Sequence, residues 1–386
     1  RCFIINIGIK MKKIKIWFVT LLTVFVLNTS SFAEVVEFNA NTFFNAEHPL
    51  AKYGKVEWAE IVKNKSNGEL VPKVFTGSAL LEPRAGMSGI RDGIAQVGYH
   101  AGSYTPNELP ESAALQELGF SYSDPLVLAS AIADFAFNDK RMVAQWKKNG
   151  IVYGGSYATP GYIIFCRSKV TNLENIKGKK IRTSGAAVST WVESVGAVPV
   201  NVPSSEMYSG LDKGTLDCAT NAPNDLKSRK LWEVSTHTTN LPLGMYWSGF
   251  EWGYNPDFWK SLSKKHKAVL FDSTALAMAK LYIGYKAAAT EALEEAPSHG
   301  TTVHQPDAAL TANVAQFTKD NMSNIYKIAK DKYKLNNPES LIKDFQEVVK
   351  KWEKIYSKVD RTSEEAIYKT LNSELFSKIN LDKHGL

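Results

Sequence analysis

The chain is 386 residues long, and its formal net charge of +7 arises mostly from one end. Residues 1–33 hold five basic residues and no acidic ones; subtracting these five from the 46 basic residues leaves 41 against 39 acidic residues, a balance of +2. This balance excludes the strongly basic surface of a nucleic-acid-binding protein, so we expect no nucleic-acid partner. The remaining chain exceeds what one core usually covers, and two lobes are expected.

Residues 1–33 have the pattern of upstream residues followed by a cleaved signal peptide at 11–33. A basic stretch after Met11 precedes the apolar run 16–27, and a small-x-small cleavage site ends at Ala33. The apolar run is shorter than the about 20 residues that a spanning helix needs. We therefore expect export with cleavage, with an uncleaved anchor as the alternative.

Two cysteines, Cys166 and Cys218, remain after the predicted signal peptide. Their spacing does not match a zinc-binding pattern. An exported chain can join such a pair as a disulfide. We expect two unpaired buried thiols, and the disulfide is the alternative.

Strand and helix patterns alternate along the first half of the chain, with glycine at the helix exits, which is typical of α/β proteins with parallel strands. Strands are predicted at 38–44, 70–75 and 94–98, with a helix at 50–66 between the first two. A single helical pattern covers 126–149. The α/β pattern then begins again, which predicts a second lobe.

The predicted organisation has two lobes and a helix that crosses both. Lobe I is expected at 34–158, completed by part of 248–300, and the core of lobe II at 159–247. The Ala- and Leu-rich pattern at 264–296 predicts a helix of about 50 Å, too long for one small lobe. Residues 300–386 are expected to form C-terminal helices that pack on the lobes.

Two polar side chains follow predicted strands of the second lobe. Arg182 ends a short apolar strand before a glycine turn, and Asn221 stands at the end of another strand. Open α/β sheets bind ligands at the carboxyl ends of their strands. A guanidinium binds a carboxylate through two parallel hydrogen bonds, and an amide can both donate and accept. We expect both residues to bind an anionic ligand; a surface ion pair for Arg182 and a turn for Asn221 are the alternatives.

Aromatic residues supply further candidates for a ligand pocket. Glu251 and Trp252 lie in the aromatic cluster at 246–252, while Tyr99 and Phe44 stand at the ends of first-lobe strands. Aromatics with a few polar groups line small-molecule pockets, although core packing is the alternative for each. Because an unpaired buried carboxylate is costly, Glu251 can meet a ligand amine, a cation or a protein partner.

Motifs for catalysis are lacking. The sequence has no G-x-S-x-G elbow, no H-E-x-x-H and no phosphate-binding glycine loop. Arginine and asparagine bind anions, but neither is a good general base near neutral pH. We expect no enzymatic activity, no cofactor and no metal, with Glu251 as the one candidate metal contact.

The segment 174–221 resembles the periplasmic solute receptors of tripartite ATP-independent periplasmic (TRAP) transporters, the DctP-type family. Weaker similarity extends from about Phe38 to Trp352. The residues that carry the resemblance are Glu174, Ile176, Lys177, Gly178, Lys180, Ile181, Arg182, Gly196, Ala197, Pro199, Val200, Pro203, Glu206, Tyr208, Leu211, Gly214 and Asp217.

The resemblance implies a type II-like periplasmic-binding-protein fold that closes around a small carboxylate solute. The family's selectivity arginine corresponds to Arg182 and its pocket asparagine to Asn221. Where some members have a polar or basic pocket residue, this chain has Tyr162. Many members have a bulky aromatic just before the equivalent of Glu206, where this chain has Ser204-Ser205, which implies a roomier or more polar wall; Ser205 is the candidate ligand contact.

The resemblance also implies a monomer in the periplasm that delivers its solute to membrane subunits driven by an ion gradient. A ligand-binding module for a sensor system is the alternative, and a periplasmic enzyme acting on small acids is a third hypothesis.

Overall fold

The structure is a computed structural model that describes residues 35–385; the predicted signal peptide at 11–33 lies outside them. The strands in this range are β1 Val36–Asn41, β2 Leu70–Phe75, β3 Val97–His100, β4 Val152–Gly155, β5 Ile163–Cys166, β6 Lys180–Thr183, β7 Val198–Asn201, β8 Cys218–Asn221, β9 His237–Thr239, β10 Phe250–Tyr254 and β11 Thr302–His304.

The helices described are α1 Pro49–Ala51, α2 Trp58–Lys65, α3 Gly86–Arg91, α4 Pro110–Gln116, α5 Pro125–Asn138, α6 Lys140–Lys148, α7 Leu173–Ile176, α8 Ala186–Ser194, α9 Met207–Asp212, α10 Asp225–Ser228, α11 Pro256–Ser261, α12 Lys264–Glu295, α13 Ala308–Asp331, α14 Pro338–Tyr356 and α15 Glu364–Glu374. In residues 35–385, no helix combines the length and apolar character that a membrane-spanning segment requires.

The first sheet has five strands in the order β2-β1-β3-β10-β4. β1 is parallel to β2 and β3, whereas β10 is antiparallel to β3 and β4. Its core includes the fully buried side chains of Val97, Trp58 and Trp252. We use lobe I for this sheet together with α1–α6.

The second sheet has six strands in the order β11-β9-β5-β8-β6-β7. β6 is parallel to its neighbours β7 and β8, and β5 is antiparallel to β8 and β9. The carboxyl ends of β6 and β8 therefore meet at one edge of the sheet. We use lobe II for this sheet together with α7–α10.

Helix α12 connects the two lobes, as the sequence pattern predicted. Its 32 residues span about 48 Å at 1.5 Å per residue. Leu270 and Phe271 pack into the core of lobe I, and Ala292 packs with Leu226 in lobe II. The mixed α/β fold with two lobes and a long helix across them is confirmed.

The C-terminal helices also pack on both lobes. In α13, Asn313 accepts a hydrogen bond from Trp191 Nε1 of α8 at 3.1 Å, and Ile325 further along packs into the lobe I core. Helix α14 packs against α5, and α15 against α12.

The expectation of two free thiols is wrong: Cys166 and Cys218 form a disulfide. β5 and β8 are adjacent and antiparallel, and their register places these two residues directly opposite each other. Linear spacing cannot reveal this, because the pairing depends on the order of strands in the sheet.

Candidate functional site

Arg182 lies at the carboxyl edge of the second sheet, in β6, with only 1% of its surface exposed. Its Nε donates to the carbonyl of Val202 at 3.0 Å, and its Nη1 to the carbonyl of Thr220 at 3.0 Å. Its Nη2 lies 3.4 Å from the hydroxyl of Tyr104 in lobe I. All three oxygens that it contacts within residues 35–385 are uncharged.

The charge of Arg182 is therefore buried without a carboxylate among the described residues. Such a charge costs several kcal/mol unless an anion compensates it. A guanidinium has five N–H groups, of which these contacts use three. The remaining two have no hydrogen-bond partner among the described residues.

Tyr104 of lobe I extends across the cleft, and its hydroxyl lies beside Arg182 of lobe II. Its hydroxyl oxygen accepts the backbone N–H of Ser204 at 3.0 Å and lies near Arg182 Nη2. A neutral phenol oxygen thus occupies the position on which a backbone donor and a guanidinium converge.

Asn221, at the end of β8, belongs to a network of charged side chains. Its Nδ2 donates to Asp225 Oδ2 at 2.6 Å, and Arg229 Nε donates to the same oxygen at 3.0 Å. His48 Nε2 of lobe I lies 3.3 Å from Asp225 Oδ1. Arg229 Nη2 also donates to Ser204 Oγ at 2.8 Å. The asparagine is thus tied to groups that join the two lobes.

Burial and neighbouring charges set the protonation of this network. Burial raises the pKa of Asp225, but Arg229 and His48 outweigh it and hold the pKa below its ordinary value. Burial lowers the pKa of His48, although Asp225 opposes this shift. Asp225 is therefore ionised at neutral pH and forms an ion pair with Arg229.

Aromatic side chains form most of the wall between the lobes. His48 stacks on Phe44 with ring centroids 4.0 Å apart, and Tyr162 stacks on Tyr246 at 5.6 Å. The cavity that they enclose has a volume of only about 10 Å³, room for about one water molecule. The residues around it are Phe44, His48, Leu50, Tyr99, Tyr104, Thr159, Tyr162, Ser204, Asn221, Tyr246 and Tyr285. Any organic solute requires the lobes to separate first.

Four of the predicted site residues therefore surround this cavity, namely Phe44, Tyr99, Tyr162 and Asn221. Arg182 stands next to it through its contact with Tyr104. Burial raises the pKa of Tyr162 well above its ordinary value, and Arg182 partly offsets this.

Glu251 and Trp252 do not belong to the cavity wall. Both are fully buried inside lobe I, where Lys55 Nζ lies 2.5 Å from Glu251 Oε1 and 5.1 Å from the Trp252 ring centroid. Burial raises the pKa of Glu251 to about 7, against the opposing charge of Lys55. Residues 35–385 contain no group of three or more His, Cys, Asp or Glu side chains that could hold a metal ion.

Ser205 is exposed, and its neighbour Ser204 faces the cavity instead. The chain turns here through a short 3-10 segment, so adjacent serines point in different directions. A sequence pattern cannot decide which of two adjacent residues faces the cavity.

Besides wall residues such as His48 and Ser204, the sequence pattern does not indicate Tyr104, Asp225 and Arg229. Tyr104 lies in a long irregular segment whose path the sequence does not fix. Asp225 and Arg229 are four residues apart, which is the spacing of a helical ion pair, and they follow Asn221 closely. That spacing is the one signal that could have identified them.

Residues 40–330 match the family of bacterial extracellular solute-binding proteins, family 7 (DctP). The chain belongs to this family. Among relatives of family 7, a solute-binding protein of Albidiferax ferrireducens is 26% identical over 198 residues, covering 50% of this chain and 56% of that protein. The match thus spans a little over half of that relative's length.

The chain is also similar to a further curated relative and to a solved structure. The 2,3-diketo-L-gulonate-binding periplasmic protein YiaO of Escherichia coli is 25% identical over 227 residues, covering 56% of this chain and 67% of that protein. A marine metagenome TRAP solute binding protein from an unidentified microbe, crystallised with 3-hydroxybenzoate, has a TM-score of 0.74 at 21% identity, covering 83% of this chain and 99% of that one. The structural likeness supports the two-lobed fold.

Proposed function

We propose that this chain is the periplasmic solute receptor of a TRAP transporter. It binds a small organic acid through its carboxylate in the cleft between the lobes and delivers it to membrane subunits. The observation that carries the proposal is the burial of Arg182 with only uncharged oxygens around it. The ligands named for the two relatives above, 2,3-diketo-L-gulonate and 3-hydroxybenzoate, are also carboxylates.

The carboxylate replaces the weak contact between Arg182 and Tyr104 with charge-assisted hydrogen bonds. Each hydrogen bond to a charged group contributes about 1.5–3 kcal/mol net. The backbone N–H of Ser204 supplies a second donor at the same point. Closure of the lobes removes water, which strengthens these contacts.

Contacts between the lobes supply a closed state for the solute to stabilise. Besides the contact of His48 with Asp225, Asn45 Nδ2 of lobe I donates to the carbonyl of Ser228 at 2.7 Å, and Ser103 Oγ lies 3.4 Å from Ser184 Oγ. A solute that contacts both lobes shifts the population towards this state. The membrane subunits then recognise the closed surface.

In this proposal the chain acts as a monomer in the periplasm after removal of the signal peptide at 11–33, without a cofactor and without catalysis. A receptor returns its ligand unchanged, so chromatography of the ligand after incubation separates it from a periplasmic enzyme. A receptor for a sensor would bind the same solute but would not support its uptake with TRAP membrane subunits.

The first prediction concerns Arg182→Ala. We expect the affinity for the best organic acid to fall by roughly 10- to 150-fold, which corresponds to one charge-assisted hydrogen bond of about 1.5–3 kcal/mol. Calorimetry measures the affinity, and a thermal-shift screen of small acids and their neutral amides finds the ligand, because a ligand that binds only the folded state raises the melting temperature.

The control for this variant is Arg167→Ala, which removes an exposed arginine from the same lobe. We expect it to bind like the unmodified protein. Arg182→Lys keeps the charge but loses the planar guanidinium. Its affinity should therefore lie between that of the unmodified protein and that of Arg182→Ala. Unchanged affinity in Arg182→Ala, with its fold confirmed by circular dichroism, would contradict the proposal.

A further inference from the structure

Among the buried cations around the cleft, one has no carboxylate partner within the described residues. Arg182 contacts only uncharged oxygens within the described residues. The second arginine at the cleft, Arg229, lies 5.1 Å from the Phe44 ring and donates to Ser204 Oγ, so it stands beside the cavity wall. Its Nε, however, is bound to Asp225, whose carboxylate is 1% exposed. This arginine is already neutralised by the protein itself.

The other buried titratable groups near the cavity do not add a free positive charge. His48 is buried against Asp225, and burial lowers its pKa. Lys55 is paired with Glu251 inside lobe I. Glu117 is an acid and adds no positive charge; its carboxylate accepts hydrogen bonds from the backbone N–H groups of Ala186 and Ala187 and from the hydroxyl of Tyr333. A ligand with two carboxylates would bury its second charge without a partner, at a cost of several kcal/mol.

The wall of the cavity favours a flat ring over a chain of hydroxyls. Six phenylalanine and tyrosine rings and the imidazole of His48 contribute to it, and the near-parallel stack of Tyr162 on Tyr246 presents a flat surface. Most polar groups of the wall are already engaged: the hydroxyl of Tyr99 bonds that of Tyr157 at 2.7 Å, and that of Tyr246 bonds Ser103 at 2.6 Å. The hydroxyls of Tyr162 and Tyr285 have no hydrogen-bond partner within residues 35–385. These two groups can bond one or two hydroxyls on a ligand ring, but they are too few for a polyol.

Resting on the proposed receptor function, we propose that the solute is an aromatic monocarboxylate, with or without a ring hydroxyl, and that the Asp225–Arg229 pair excludes dicarboxylates. Arg182 and the Ser204 N–H bind the carboxylate, and the tyrosine wall holds the ring. Asp225 acts on specificity by occupying the second arginine.

The test compares matched ligands by calorimetry on the unmodified protein. The panel contains benzoate and 3-hydroxybenzoate, heptanoate as an acyclic acid with the same number of carbons as benzoate, isophthalate and succinate as dicarboxylates, gluconate as a polyol acid, and benzamide as a neutral analogue. We expect a ring monocarboxylate to bind at least about tenfold more tightly than each of the others, since each of these either lacks the ring or the carboxylate or buries an additional polar or charged group without a partner.

The outcomes separate this inference from the receptor function. Tightest binding of succinate, isophthalate, heptanoate or gluconate, lost in Arg182→Ala, would overturn the inference and leave the receptor function standing. Binding of no acid at all, or equal binding of benzamide and benzoate, would count against both.

Asp225→Asn tests the role of the second arginine directly. Freed from its carboxylate, Arg229 should bind a second anionic group, so the preference for benzoate over isophthalate should shrink by about tenfold or more. Asp212→Asn, an exposed acid on α9 of the same lobe, should leave the preference unchanged. A folded Asp225→Asn protein with the original preference would overturn the charge argument. If that variant does not fold, the ligand panel on the unmodified protein tests the preference for an aromatic monocarboxylate on its own.

Discussion

Tyr104 is the residue whose position most directly suggests how the site works. Its hydroxyl accepts the N–H of Ser204 and lies beside Arg182, where a carboxylate oxygen would bind. An uncharged phenol oxygen satisfies these donors less well than an anion, because charge-assisted hydrogen bonds are about twice as strong as neutral ones. In the proposed receptor function, Tyr104 therefore stabilises the closed lobes without solute and is displaced by a carboxylate.

Tyr104→Phe should bind the solute more tightly than the unmodified protein. The variant keeps the ring but removes the oxygen that competes for the two donors, so the gain should be about 0.5–1.5 kcal/mol, the net value of one hydrogen bond, or roughly 2- to 12-fold in affinity. Calorimetry with the best acid measures it, and Tyr208→Phe, an exposed tyrosine of lobe II, is the control. Weaker binding would mean that the phenol itself contacts the solute.

The sequence could place Arg182 and Asn221 at one edge of the sheet, because each stands near the end of a strand and these strand ends meet there. It could not identify Tyr104, because the segment that carries it has no periodic pattern. Glu251 is an unusual acid among aromatic residues in the sequence, and the structure pairs it with Lys55, which is distant in sequence. Partners across long sequence separations are not visible in local patterns.

At the scale of the elements, the disulfide joins β5 and β8, the second of which ends at Asn221 in the proposed ligand site. Cys218 opens the strand that ends at Asn221, and Cys166 closes its neighbour. The bond closes a stretch with a sequence separation of 52. It therefore restricts the unfolded chain and fixes the register that positions Asn221.

Replacing both cysteines by alanine should lower the free energy of unfolding by about 2–4 kcal/mol, mainly because the unfolded chain gains freedom. Urea denaturation measures the change. Adding a reductant during denaturation should shift the unmodified protein towards the variant and leave the variant unchanged. Identical curves for all four samples would show that the bond does not form in solution.

Elements with strong periodic patterns were predictable, and their interruptions were not. The predicted strand 70–75 coincides with β2, and the helix predicted at 264–296 ends one residue before that at Glu295. The single helix predicted at 126–149 is two helices, because Asp139 adopts an extended backbone and caps α6 through the N–H groups of Arg141 and Met142. Between α1 and α2, Lys52–Glu57 forms a π-helical turn that no propensity indicates.

At the scale of the whole molecule, the interior of lobe I holds polar groups that make stability depend on pH. His100, the last residue of β3, is fully buried, and its Nε2 lies 2.8 Å from Thr105 Oγ1. Its Nδ1 has no partner within the described residues. Burial lowers the pKa of His100 to about 3, so the folded protein resists a proton that the unfolded chain accepts near pH 6.5.

The direction in which pH changes stability follows from the difference between the pKa of His100 in the folded and in the unfolded chain. Between about pH 6.5 and pH 3 the unfolded state binds the additional proton, so the contribution of His100 to stability is lost as the pH falls, by at most about 1.4 kcal/mol per pH unit. Glu251, whose pKa is raised to about 7, acts in the opposite direction, since its folded form favours the proton below that pH. A single curve of stability against pH therefore mixes both effects.

Comparing His100→Gln with the unmodified protein isolates the histidine, because Glu251 contributes equally to both. Between pH 6.5 and pH 4.5, we expect the free energy of unfolding of the unmodified protein to fall with decreasing pH more steeply than that of the variant, by up to about 1.4 kcal/mol per pH unit. Urea denaturation at several pH values provides the slopes. His299→Gln, which removes an exposed histidine, should keep the original slope, and equal slopes for all three proteins would mean that His100 takes up its proton as readily in the folded state as in the unfolded chain.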